Sequence, residues 1–155
     1  MKKLVLTTLI GVISLPALAA DWRTFPAVNP EPKVQYDWDS LQQKQHQLSY
    51  DEEIQYFDVK IRKTFKTPQT LKSGKFFTIE TYTLSLDCAN KEYAITDYEW
   101  FINGQKVAEN KSIPWSAAWQ DFKAVPSVNQ RPVIELKGYR VNDIQASSLC
   151  SQLVG

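Results

Sequence analysis

Tyr82–Cys88 reads Y-T-L-S-L-D-C, and the fold follows from it. Tyr82, Leu84, Leu86 and Cys88 alternate with Thr83, Ser85 and Asp87. A period of two with one apolar parity is the pattern of a strand that buries one face. Downstream, Tyr93 and Ile95 share one parity while Tyr98, Trp100 and Ile102 share the other, so the phase slips near Thr96–Asp97. Asn103-Gly104 follows at once. Both residues tolerate positive φ, which predicts a tight hairpin into a strand over Gln105–Ala108. Upstream, Phe77 and Ile79 lie off the Tyr82 parity, and one inserted residue near Glu80–Thr81 would restore the facing. Further back, Phe57, Val59, Ile61 and Phe65 alternate with Asp58, Lys60, Arg62 and Thr64, interrupted by Lys63.

The C-terminal part changes period. Val133–Val141 reads as a strand. Asn142 then stands where it can cap a helix, with Ala146, Leu149, Cys150 and Leu153 at helical spacing on one face. Cys150 on that face and Cys88 on the buried parity of its strand are the chain's two cysteines. A disulfide between them closes a long loop, worth about 4 kcal/mol in the chain-entropy model. The alternative, a metal site or a reactive thiol, has only His46 to draw on as a further soft ligand. The expected fold class is α+β: a single antiparallel β-sheet with a C-terminal helix tethered by one disulfide.

The first 20 residues, MKKLVLTTLIGVISLPALAA, read as a cleaved signal peptide. Lys2 and Lys3 precede a short apolar run, Pro16 ends it, and Ala17-Leu18-Ala19 is a small-x-small cleavage pattern. No cysteine stands near the cut, so no lipobox is present, and no later segment is long and apolar enough for a transmembrane segment. The protein is expected in the periplasm, at the cell surface or outside the cell, where disulfides persist. Residues 21–33, with Pro26, Pro30 and Pro32, read as an extended, irregular lead-in pinned by Trp22 and Phe25. Residues 34–155 form the domain.

Composition excludes several classes. Without Lys2 and Lys3 the 18 basic residues fall to 16, against 17 acidic ones, a net charge of −1. Nucleic-acid capture by overall charge is disfavoured at that balance. All 19 aromatic residues (7 Phe, 7 Tyr and 5 Trp) follow residue 20, which argues for a packed core rather than disorder.

Catalytic patterns are sparse. There is no G-x-S-x-G elbow and no glycine-rich phosphate loop. His46 lies among glutamines in Q-Q-K-Q-H-Q (Gln42–Gln47), the setting of a solvated loop histidine. Asp97 and Glu99 fall at i,i+2, about 6.6 Å apart on a strand, a spacing that overlaps a glycosidase pair. Asp37-Trp38-Asp39 and Asp51-Glu52-Glu53 lack calcium-loop spacing and read as solvated turns. These features predict no enzyme, no cofactor and no metal site.

Two candidate binding features remain. Lys60, Arg62, Lys63, Lys66, Lys72 and Lys75 form a basic run with no acid from Val59 to Ile79. It covers a strand end, a loop over Thr67–Gly74 and the next strand start, so several charges are expected near one hairpin tip. Such a patch suits anionic glycans, lipid head groups or acidic protein segments. It predicts that reversing Lys63, Lys66, Lys72 and Lys75 abolishes retention on a heparin-type column. An edge-protecting, solvated hairpin is the plainer reading. Trp115 and Trp119, with Trp100, form a candidate aromatic surface for stacking on sugar rings, although most tryptophans of such a domain belong to its core.

With these residues placed, the chain from about Val34 to Cys150 resembles the surface-adhesin protein E-like family of Gram-negative bacteria. The resemblance rests on V-Q-Y-D-W-D-S-L (Val34–Leu41), the charged strand Tyr56–Lys66, Y-T-L-S-L-D-C-A-N-K-E-Y (Tyr82–Tyr93), the Asn103-Gly104 hairpin and the late Cys150. It implies an antiparallel sheet with a disulfide-tethered C-terminal helix, a homodimer, and adhesion to host cells and to proteins such as vitronectin, laminin and plasminogen. The chain departs from the lipid-anchored namesake in lacking a lipobox cysteine. A weaker resemblance, carried by Trp22, the early prolines, Cys88 and Cys150, is to the CNP1-like family of uncharacterised exported proteins, and implies no defined activity. The expected function is that of an exported, non-enzymatic, adhesin-like binding module. The alternative is a periplasmic accessory or structural protein of the envelope.

Overall fold

The alternation around Tyr82 belongs to one strand of a seven-stranded antiparallel sheet. The computed structural model describes residues 20–25, 31–113, 119–125 and 138–154, with the backbone alone at 48 and 49. The strands are β1 (Trp22–Thr24), β2 (Lys33–Ser49), β3 (Glu52–Thr70), β4 (Phe76–Asp87), β5 (Glu92–Ile102), β6 (Gln105–Asn110) and β7 (Gln120–Asp121). β1 to β6 pair in sequence order, and β7 pairs with β5 alongside β6. One helix, α1 (Val141–Leu153), follows. The sheet with its C-terminal helix is an α+β fold. Cys88 and Cys150, 62 residues apart in sequence, are bonded with their Cα atoms 5.5 Å apart. The helix is thereby tied to the sheet. Among the described residues no helix is long and apolar enough to cross a membrane.

Cross-strand partners point to the same side of a sheet, so the register divides the molecule into two faces. Tyr36, Ile61 and Tyr82 form one row, and Val59, Leu84 and Ile95 the next. This helix face carries the core, in which Ile61, Tyr82, Leu84 and Leu86 have no exposed surface. Ala146 and Leu149 of α1 pack into it, with Phe25, Phe122 and both cysteines around the margin. Each helix turn is also pinned by a tyrosine. Asn142 donates to Tyr93, Tyr82 donates to Gln145 and Tyr36 donates to Gln152. Residues 122–125 cover α1 from another side. The Lys123 and Val125 amides donate to Asp143 and Ser147, and Val125 packs on Ile144. That double covering buries every helix residue from Asp143 to Leu149.

Several local expectations are corrected. The lead-in contributes a strand: Trp22–Thr24 pairs with Gln35–Asp37, and Phe25 is buried with its ring 4.6 Å from that of Tyr36. Residues 1–19 and 26–30 lie outside the described residues. Gln42–Gln47 is strand rather than loop, and His46 stands opposite Ile54. Asp37–Asp39 is strand rather than turn, with the Asp39 amide donating to Asp37. β3 runs through Thr67 to Thr70, and the turn is shorter than Thr67–Gly74.

The slip placed at Glu80–Thr81 is absent, since β3 and β4 pair without a break from Phe57–Leu86 to Thr64–Ile79. The irregularity falls instead between Thr64 and Gln69, around Pro68, which has no N–H to give a ladder. The slip near Thr96–Asp97 is present as a bulge in β5, with Asp97 at φ 53°. The hairpin at Asn103-Gly104 has both residues at positive φ, 51° and 76°.

The helix begins at Val141, not after an Asn142 cap, because Asp143 takes the capping role. Its carboxylate accepts from the amide and the guanidinium of Arg140. Gly138–Arg140 is irregular rather than the end of a strand, and residues 133–137 of the expected strand lie outside the described residues.

Candidate ligand-binding face

The other face of the sheet is polar, yet much of it is buried. Going across β2 to β5, one row is Gln42, Asp58, Ser85 and Ala94, and the next is Asp37, Lys60, Thr83 and Thr96. The third is Gln35, Arg62, Thr81 and Glu99. Small hydroxylated residues at the centre of the face are buried. Ser85 is 0% exposed, Thr96 1% and Thr81 9%.

The charges on this face are arranged in pairs with surplus donors. Ser85 donates to Asp58, whose other oxygen takes Lys44 at 2.8 Å. That bond raises the Lys44 pKa against the opposing effect of burial. Lys106 and Lys111 both reach Glu99 at 3.3 Å. Burial pushes the Glu99 carboxyl up, but the two lysines outweigh it and hold it below the usual carboxylate value. Arg62 differs. Its Nη2 donates to the neutral Gln35 at 2.9 Å, and its guanidinium lies 4.0 Å from the Trp22 ring centroid. Burial lowers the Arg62 pKa, and only the more distant charge of Asp37 opposes this. Lys60 is exposed, two residues from Arg62 on the same strand and the same face.

The six residues of the basic run are separated. Lys60 and Arg62 stand on the polar face. Lys63 is on the helix face, bonded to Glu80 at 3.2 Å and 4.9 Å above the Tyr82 ring. Lys66 pairs with Glu31 at 3.0 Å. Lys72 and Lys75 flank the β3–β4 turn, where Lys75 donates to the Val107 carbonyl. Of the aromatic candidates, Trp119 is half-buried with its ring edge-on to Tyr56 at 6.1 Å. Trp115 lies outside the described residues. Trp100 belongs to the helix face, stacked on Tyr98 at 5.5 Å with Nε1 donating to Glu80. Asp97 and Glu99 do not act as a matched pair. The bulge takes Asp97 out of alternation, where it accepts from the Ser112 amide.

Nothing in the sequence marks Thr81, Thr96 or Trp22 as site residues. The polar parity of β4 was visible as Thr83, Ser85 and Asp87, but a polar parity ordinarily faces water. Its burial depends on neighbours from other strands. No protein-family model matches the chain, and no curated protein or solved structure matches it.

Proposed function

We propose that the protein is an exported, non-enzymatic binding module, adhesin-like in role, that recognises an anionic polymer through the polar face of its sheet. The observation that carries this reading is Arg62: a half-buried guanidinium whose Nε is enclosed and whose hydrogen-bond partner is neutral, beside the exposed Lys60 and a floor of hydroxyl groups. A cation desolvated without a carboxylate is costly, and an anionic ligand supplies what is missing. Export is supported by the Lys2–Ala19 pattern and by the Cys88–Cys150 bond, of a kind stable in oxidising compartments. The non-enzymatic reading is supported by Glu99, held charged between two lysines rather than poised to exchange a proton.

The test is a heparin column at low salt. Wild type is expected to be retained and to elute as salt rises, because screening acts over about 8 Å at physiological ionic strength. Lys60→Glu with Arg62→Gln is expected to lose retention, while Lys72→Glu with Lys75→Glu keeps most of it. Wild type passing through unretained contradicts the reading. Loss confined to the Lys72/Lys75 variant moves the site to the hairpin turn.

A further inference from the structure

Four buried side-chain polar atoms lack a partner among the described residues: Arg62 Nε, Thr81 Oγ1, Thr96 Oγ1 and Gln145 Nε2. Three of them stand on the polar face. Two of those three, on Arg62 and Thr81, belong to direct cross-strand partners on β3 and β4. Buried polar atoms in native proteins nearly always have partners, and an atom without one in the protein is met by a water, an ion or a ligand; here two such atoms belong to paired residues of neighbouring strands. Arg62 Nε can only donate, and a threonine hydroxyl can donate as well. Two donors, one of them on a cation whose hydrogen-bond partner is the neutral Gln35, match an oxyanion.

We propose that Arg62 Nε and Thr81 Oγ1 form a subsite for one sulfate or carboxylate group of an acidic polysaccharide. The proposal rests on the anionic-polymer reading above and makes it specific. A polysaccharide fits because donors repeat along the face. Lys60 presents a second charge about 6.6 Å from Arg62 along β3, and Thr83 and Thr96 continue the line of hydroxyls. The acids in the three rows across β2 to β5 are Asp37, Asp58 and Glu99, and further out on the same face stand Asp87 with Glu92, and Glu109 opposite Glu99. Asp58 and Glu99 are engaged by lysines, and Asp37 accepts from the Asp39 amide. Trp22, on the three-residue strand β1, roofs the guanidinium. Both donor atoms are buried, and the group reaches Arg62 Nε as the indole over the guanidinium moves aside.

The hydroxyl makes the proposal testable without loss of fold. Valine has the shape of threonine, and replacing an unpartnered buried hydroxyl by a methyl group is neutral or stabilising. Thr81→Val is therefore expected to leave the melting temperature unchanged or raised, and to weaken binding of a sulfated heparin oligosaccharide about tenfold. In 15N-labelled protein with its disulfide intact, the Arg62 Nε–H signal, assigned by its loss in Arg62→Lys, is expected to shift on titration with the oligosaccharide. With inorganic sulfate it is expected to shift only at much higher concentration. A lower melting temperature for Thr81→Val shows that the hydroxyl has a structural partner and overturns the subsite. So does oligosaccharide binding that leaves the Arg62 signal in place, although the anionic-polymer reading then survives. Equal response to free sulfate and to the oligosaccharide marks an adventitious ion only and removes the polysaccharide. Absence of any binding by wild type removes both the subsite and the reading beneath it.

Discussion

Asp143 shows how much one residue carries. It is 1% exposed, and its two oxygens accept from the Arg140 guanidinium and amide and from the Lys123 amide. It thus joins the helix start to the segment that covers the helix. Burial alone would push its pKa up, but these hydrogen bonds outweigh burial and hold it below the usual aspartate value. A carboxyl depressed in the folded state contributes stability above its unfolded pKa and loses it as pH falls through the folded one. Glu99, depressed by its lysines, adds in the same direction. The urea midpoint is therefore expected to fall between about pH 5 and about pH 3. In Asp143→Asn the fall is expected to be shallower, starting from a neutral-pH stability lower by about 1–3 kcal/mol. Equal slopes for the two proteins would contradict this role. None of it was legible in the sequence. Asn142 looked the better cap because its spacing to the apolar positions was right, while Asp143 is fixed by Arg140 three residues before it and by the Lys123 amide 20 positions away.

Among the elements, what the sequence revealed depended on whether the determinant was local. The β5–β6 hairpin was readable because Asn103-Gly104 carries its own turn geometry. The β5 bulge was readable because apolar parity changes across Asp97. The bulge of β3 was misplaced because Glu80 occupies a helix-face position where an apolar residue was expected. There it accepts from Trp100 and Lys63, a cluster assembled from three strands. The disulfide was readable from both elements at once, since each cysteine sat on an apolar parity. Its contribution can be measured at the same scale. Tyrosine contacts and the covering segment also hold α1, so reduction is expected to leave a folded protein at neutral pH, less stable by about 4 kcal/mol in the chain-entropy model. Urea unfolding with and without reductant checks this. An unchanged midpoint would mean that the 62-residue loop is already constrained in the unfolded chain.

At the scale of the whole molecule, the two faces of one sheet divide the work. The helix face is closed by aromatic and aliphatic packing and by a covalent tether. The polar face holds hydroxyls and cations in rows that the antiparallel register brings together from distant parts of the chain. The sequence displayed the basic run as a continuous patch. Strand alternation splits it instead, sending Lys60 and Arg62 to one face and Lys63 to the other. The claim that binding belongs to the polar face is tested most directly by mapping backbone amide shifts on titration with a sulfated heparin oligosaccharide. The account predicts the largest changes at Trp22, at Lys60–Arg62, at Thr81–Thr83 and at Thr96–Glu99, with α1 and the β3–β4 turn unmoved. Changes concentrated at Lys72–Lys75 or along α1, with those strand positions silent, would contradict it.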